Sequence, residues 1–150
     1  MPVPAINIEA LVARYEKIRA ERMQGLPIVN PVLQVEAVGF REHEGQHLGV
    51  LITPWFMNLL LLPTGDDWEE EAQGNTVDWE FPGGPVEFTV SVDEELGTFL
   101  SAILFRSMTD MPDQETARAI AEEIMKNLFV KVRDDKGISR RALLSGLGNS

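Results

Sequence analysis

Val86-Glu87-Phe88-Thr89-Val90-Ser91-Val92 alternates apolar and polar side chains at every step. A period of two is the mark of a strand with one buried face and one wet face. Valine, phenylalanine and threonine also suit a pleated surface. Upstream, Pro82-Gly83-Gly84-Pro85 reads as a turn and Val77–Phe81 as a short strand. Downstream, Asp93-Glu94-Glu95 turns the chain into a further strand, Gly97–Phe105. Val32–Phe40 and Leu48–Thr53 are also β-like, with a hairpin connection at Arg41–His47 around Gly45. Thr53-Pro54 has the form of a helix start, but Pro63 follows too soon for an ordinary helix. The segment therefore reads as one helical turn at Pro54–Met57 and a buried strand at Asn58–Leu62. Thr64–Thr76 reads as an acidic loop.

Helices bracket these strands. Asn7 can cap a helix running to about Met23, with Ile8, Leu11, Tyr15 and Ile18 on one stripe and Gly25-Leu26-Pro27 at its end. From Asp113, the residues Ala117, Ile120, Ala121, Ile124, Met125 and Leu128 keep a helical period to near Phe129. The expected fold is α+β: an antiparallel sheet of about five to six strands, with the N-terminal and C-terminal helices packed against one face of it. A chain of 150 residues is expected to form one domain over 1–150, with 1–5 and 147–150 frayed.

Charge narrows the function. The net charge is −11, which argues against nucleic acid as a partner, since phosphate binding needs clustered lysine and arginine. All thirteen basic residues lie outside 42–105, while that segment holds thirteen acids and all three tryptophans, Trp55, Trp68 and Trp79. Carboxylates beside aromatics suit a basic protein partner. With no cysteine there is no thiolate nucleophile and no cysteine metal site. The first helix is too charged for an export signal, and Trp55–Leu62 is too short to cross a membrane. A soluble, cytoplasmic, non-catalytic binding protein without cofactor, metal or membrane insertion is the expectation.

Two motifs compete with that reading. His43-Glu44-Gly45-Gln46-His47 matches the H-E-x-x-H pattern, which on a helix brings two imidazoles to one zinc ion. Here it falls in a hairpin, where the rings need not converge; the alternative it leaves is a small zinc hydrolase using His43 and His47. Ser139-Arg140-Arg141-Ala142-Leu143-Leu144 looks like the start of a twin-arginine export signal, at the wrong end of the chain for one. It reads either as a short helix capped by Ser139 or as a mimic of a partner's signal peptide that occupies the chain's own acidic groove.

The block Glu44–Met57, with its Ile52-Thr53-Pro54-Trp55 core, then Leu59–Pro63, Phe81-Pro82-Gly83, Phe88-Thr89-Val90 and Arg140-Arg141-Ala142-Leu143-Leu144, resembles the HybE/HupJ family of [NiFe]-hydrogenase assembly chaperones over about residues 8–146. The resemblance implies a maturation chaperone that holds the hydrogenase small-subunit precursor, with its twin-arginine signal peptide, until assembly is complete. The large subunit is a second candidate partner. The alternative is an interaction module that binds folded subunits and ignores the signal. For a twin-arginine ligand the expected anionic contacts are among Glu69, Glu70, Glu71, Asp78 and Glu80, and the apolar ones include Trp55, Met57 and Trp79. Arg140 and Arg141 are the internal competitor. The oligomeric state and the hydrogenase served stay open.

Overall fold

The computed structural model describes residues 5–64 and 73–131. Asn7 accepts the Ala10 N–H at 2.7 Å and caps α1 (Ile8–Ile18), whose last turn widens into a π-helical turn at Arg19–Met23. Six strands follow: β1 (Glu36–His43), β2 (Gln46–Ile52), β3 (Met57–Leu62), β4 (Thr76–Phe81), β5 (Gly84–Asp93) and β6 (Gly97–Phe105). They form one antiparallel sheet in the order β1-β2-β3-β6-β5-β4. The chain closes on α2 (Gln114–Leu128), capped by Asp113, which accepts the Thr116 N–H at 2.7 Å.

The expected α+β fold and its six strands are present, with three local differences. The first strand begins at Glu36, because Asn30 ties the preceding segment elsewhere: its amide donates to the carbonyls of Met108 and Met111, each at 2.9 Å. The β1–β2 loop shrinks to Glu44-Gly45, both at positive φ (49° and 82°), the geometry of a two-residue hairpin turn. No helical turn forms at Pro54–Met57. Thr53 instead closes a tight turn, its hydroxyl accepting the N–H groups of Trp55 (3.2 Å) and Phe56 (3.0 Å), and Met57 already belongs to β3.

The helices do not share a face of the sheet. Strand alternation sends Leu48, Val50, Ile52, Met57, Leu59, Leu61, Phe88 and Val90 to one side, where Ala117, Ala121, Ile124 and Leu128 of α2 cover them. Leu51, Leu60, Leu62 and Phe99 point the other way, onto Ile6 and Leu11. Apolar residues at consecutive positions in β2 and β3 are what a strand buried on both sides needs. The order helix, strands, helix suggests one covered face, but the apolar runs of β2 and β3 need cover on both sides. At the other end, α2 is seated on the β4–β5 turn: the Gly83 N–H donates to the Leu128 carbonyl at 2.8 Å, and a Cβ on Gly83 would lie 2.4 Å from the Asn127 carbonyl oxygen.

Candidate functional site

α1 covers only part of its side of the sheet. Over β4, β5 and the far half of β6 that side carries Thr76, Asp78 and Glu80, then Glu87, Thr89 and Ser91, then Ser101 and Ile103, and Asn58 of β3. Asn58, Glu87, Thr89, Ser91, Ser101, Ile103 and Arg106 line a shallow depression of about 450 Å³. Asp78 and Glu87 are direct register partners, so two carboxylates stand side by side. Like charges directly opposite on a sheet destabilise it. Among the described residues, Asp78, Glu80 and Glu87 make no ion pair. Asn58 Oδ1 is buried and accepts no hydrogen bond there. Ile103 is 53% exposed, a large apolar side chain in an otherwise polar shelf. The surface thus offers carboxylate, amide and hydroxyl acceptors, the Arg106 cation among its lining and one exposed apolar side chain, Ile103.

The residues singled out from the sequence part company here. Asp78 and Glu80 lie on this shelf. Trp79, between them, points to the opposite face, packs beside the α2-side core and donates its indole N–H to Glu44 at 3.2 Å. Met57 is fully buried and cannot meet a partner. Trp55 is half-buried in the turn before β3, edge-on to Phe56 at 5.8 Å. Glu69, Glu70, Glu71, Arg140 and Arg141 lie outside the described residues. Glu87, Ser91, Ser101, Asn58 and Ile103 were not singled out, although the alternation of β5 already sets Glu87, Thr89 and Ser91 on its polar face.

Nor do the acids of 42–105 share one surface. Arg14, only 5% exposed, donates its Nε to Asp93 at 2.9 Å and a second nitrogen to Glu95. Lys17 meets Glu95 and Arg22 meets Glu94, each at 3.1 Å. Burial pushes the Asp93 carboxyl up, but the N–H groups of Leu96 and Glu95 and the Arg14 guanidinium outweigh it and hold it below the usual carboxylate value. Three acids of the segment thus serve to fasten α1. The shelf is a separate group.

The two histidines are separated by the same alternation. His43 pairs with Gln46 and His47 with Glu42 across the hairpin, so their rings leave opposite faces. His43 lies tilted over Phe81 (5.1 Å) and edge-on to Phe129 (5.4 Å). One ion cannot be held by both. Among the described residues, no group of three or more His, Asp or Glu is placed to hold a metal, and no helix is long and apolar enough to cross a membrane.

The sheet is thus braced by helices on both faces, and among the described residues the shelf with Asp78, Glu80 and Glu87 is left uncovered. The family model of the [NiFe]-hydrogenase assembly chaperone HybE matches residues 7–146. The chain is similar to the hydrogenase expression/formation protein HupT of Azotobacter chroococcum (43% identical, over 90% of this chain and 91% of that one). It is also similar to the probable rubredoxin HupJ of Rhodobacter capsulatus (43% identical, over 82% of this chain), of whose length it spans 45%. The solution structure of HybE from Escherichia coli shares the fold, with a TM-score of 0.64 over 79% of this chain and 74% of that one at 24% identity. The chain belongs to the HybE family of [NiFe]-hydrogenase assembly chaperones, and its role is in hydrogenase maturation.

Proposed function

We propose that this chaperone holds the precursor of a hydrogenase small subunit by its twin-arginine signal peptide, in the cytoplasm, until assembly is complete. The observation that carries this reading is the uncovered shelf with Asp78, Glu80 and Glu87 unpaired among the described residues. Guanidinium groups supply five donors each in a planar fork that fits carboxylates. Asp78 and Glu87 side by side lose their mutual repulsion when a cation sits between them. The apolar segment after the arginine pair meets Ile103, and Trp55, three residues before Asn58 in the chain, is the aromatic proposed for its far end. Glu69, Glu70 and Glu71 are proposed as further carboxylates for the same ligand. Bound this way, the signal is masked from the export machinery.

A second reading rests on a different surface. Leu26, Ile28 and Val32, in the segment between α1 and β1, are 43%, 53% and 56% exposed. Exposed apolar side chains close together in the chain suit a folded subunit, large or small. A pull-down separates the two readings. Small-subunit precursor with its signal is expected to be captured, and the same subunit without the signal to be lost. Equal capture of both would favour the folded-subunit reading.

A further inference from the structure

The sheet has an edge at β1 and another at β4, and the two differ. On β1, Val38 faces Val50 and Arg41 faces Leu48, so Gly39 and Phe40 together stand against Gly49 alone. This bulge, with Gly39 at a φ of 67°, bends the strand and blunts it against a further partner. β4 carries no such break, and its residues from Thr76 to Phe81 keep register with β5 without a shift. We infer that the edge of β4 takes the arginine pair of the ligand as an added antiparallel strand, with one arginine on each face of the sheet. The inference rests on the signal-peptide reading above and says how the pair is held.

The backbone of β4 is set for this. Residues of an antiparallel ladder alternate between those that exchange hydrogen bonds with the neighbouring strand and those that do not. Glu80 faces Pro85, which has no N–H to give, so Glu80 is of the second kind. Before the strand begins, Asn75 is of the first kind, its carbonyl accepting the Val90 N–H at 2.8 Å. Both observations give the same parity. Val77, Trp79 and Phe81 bond inward to β5, and the N–H and C=O groups of Thr76, Asp78 and Glu80 point out from the edge. Among the described residues, no backbone group bonds to them there.

The side chains are set for it too. A residue of an added strand shares the face of the β4 residue that it stands opposite. An arginine opposite Asp78 therefore lies on the shelf face, beside the carboxylates of Asp78 and Glu80. The next arginine points the other way and stands opposite Trp79, in the closer of the two kinds of cross-strand pair. Trp79 commits its indole N–H to Glu44 at 3.2 Å, which leaves the π face of the ring and an exposed carboxylate beside it. A guanidinium is attracted by both. Two adjacent arginines are thus met by opposite faces of one strand. Arg106 lines the depression beyond the end of β6, two strands in from this edge.

Charge selects the occupant. A second copy adding its own β4 through the same outward groups would set Asp78 and Glu80 against Asp78 and Glu80. Like charges opposite one another destabilise a sheet. A basic segment meets attraction at the same positions.

The test uses the full chain and a synthetic Arg-Arg signal peptide, with amide hydrogen exchange read residue by residue. Binding is expected to slow exchange at Thr76, Asp78 and Glu80 by about tenfold or more, and to leave Val77 and Trp79, already bonded to β5, unchanged. The backbone N–H of one arginine faces β4 and that of its neighbour faces away. N-methylation of the first is therefore expected to weaken binding about tenfold, and N-methylation of the second to leave it unchanged. Binding of the Arg-Arg peptide with unmoved exchange at Thr76, Asp78 and Glu80, or with equal affinity for the two methylated peptides, would overturn the inference and leave signal recognition intact. No binding of the unmodified peptide would overturn signal recognition, and the inference with it. Slow exchange at these amides before peptide is added would mean an edge already covered, by the chain itself or, where the effect fades on dilution, by a second copy, and would also overturn the inference.

Discussion

Replacing Asp78, Glu80 and Glu87 together by Asn, Gln and Gln is expected to weaken binding of an arginine-pair signal peptide roughly thirtyfold. The magnitude follows from exposed ion pairs at about 0.7 kcal/mol each, or about 2 kcal/mol for three. Isothermal titration at low salt measures it best, since surface pairs are screened over about 10 Å at 0.1 M salt. The same substitutions are expected to leave the fold as stable as before, or slightly more so. The Asp78–Glu87 pair is a liability in the unbound sheet, and its amides remove the repulsion. Weaker binding with undiminished stability is the signature of carboxylates kept for a partner. A loss of both together would mean that the shelf serves the fold.

Arg14→Ala is expected to have the opposite profile, a large effect on stability. Arg14 is buried against Asp93 and Glu95, some eighty residues away in the chain. Removing one member of a buried ion pair leaves the other in a poorly hydrated place, at a cost of about 3 kcal/mol. For a chain of this size that is about 10 °C in Tm, readable by circular dichroism. Arg22→Ala is the control: its pair with Glu94 is exposed on both sides, and its loss is expected to cost no more than about 0.5 kcal/mol. The acid limb gives a further check. Asp93 titrates below the ordinary carboxylate value, so its contribution is fully present above about pH 4 and fades as pH falls through its lowered pKa. Without Arg14 the acid transition is expected to move up toward pH 4, though the backbone N–H groups of Leu96 and Glu95 still hold the carboxylate.

The strands and both helices were legible because their signals are local. The alternation of Val86–Val92 and the capped, periodic Asp113–Phe129 segment each fix an element without reference to any other. The layering was not, because covering a face is a matter of which helix reaches which strand. The doubly apolar runs of β2 and β3 were the available sign that two faces are covered. The candidate site was half legible. Counting charges found the acidic segment, but a count does not say which face a side chain takes. Parity along β4 would have parted Trp79 from Asp78 and Glu80, and parity along β5 would have added Glu87. Nothing local could show that Asp93, Glu94 and Glu95 are committed to Arg14, Lys17 and Arg22, since that pairing exists only once α1 has docked. Met57 looked like a surface anchor beside Trp55 because burial depends on the tight turn that Thr53 makes.

The central claim is that carboxylates of this chaperone recognise an arginine pair. It is tested most directly by titrating the protein with a signal peptide and its Arg-Arg→Lys-Lys and Arg-Arg→Gln-Gln variants. The lysine peptide keeps the charge but loses the planar fork, and is expected to bind about tenfold more weakly. The glutamine peptide loses both, and is expected to bind more weakly still, with little dependence on salt. Equal affinity for all three peptides would contradict the account.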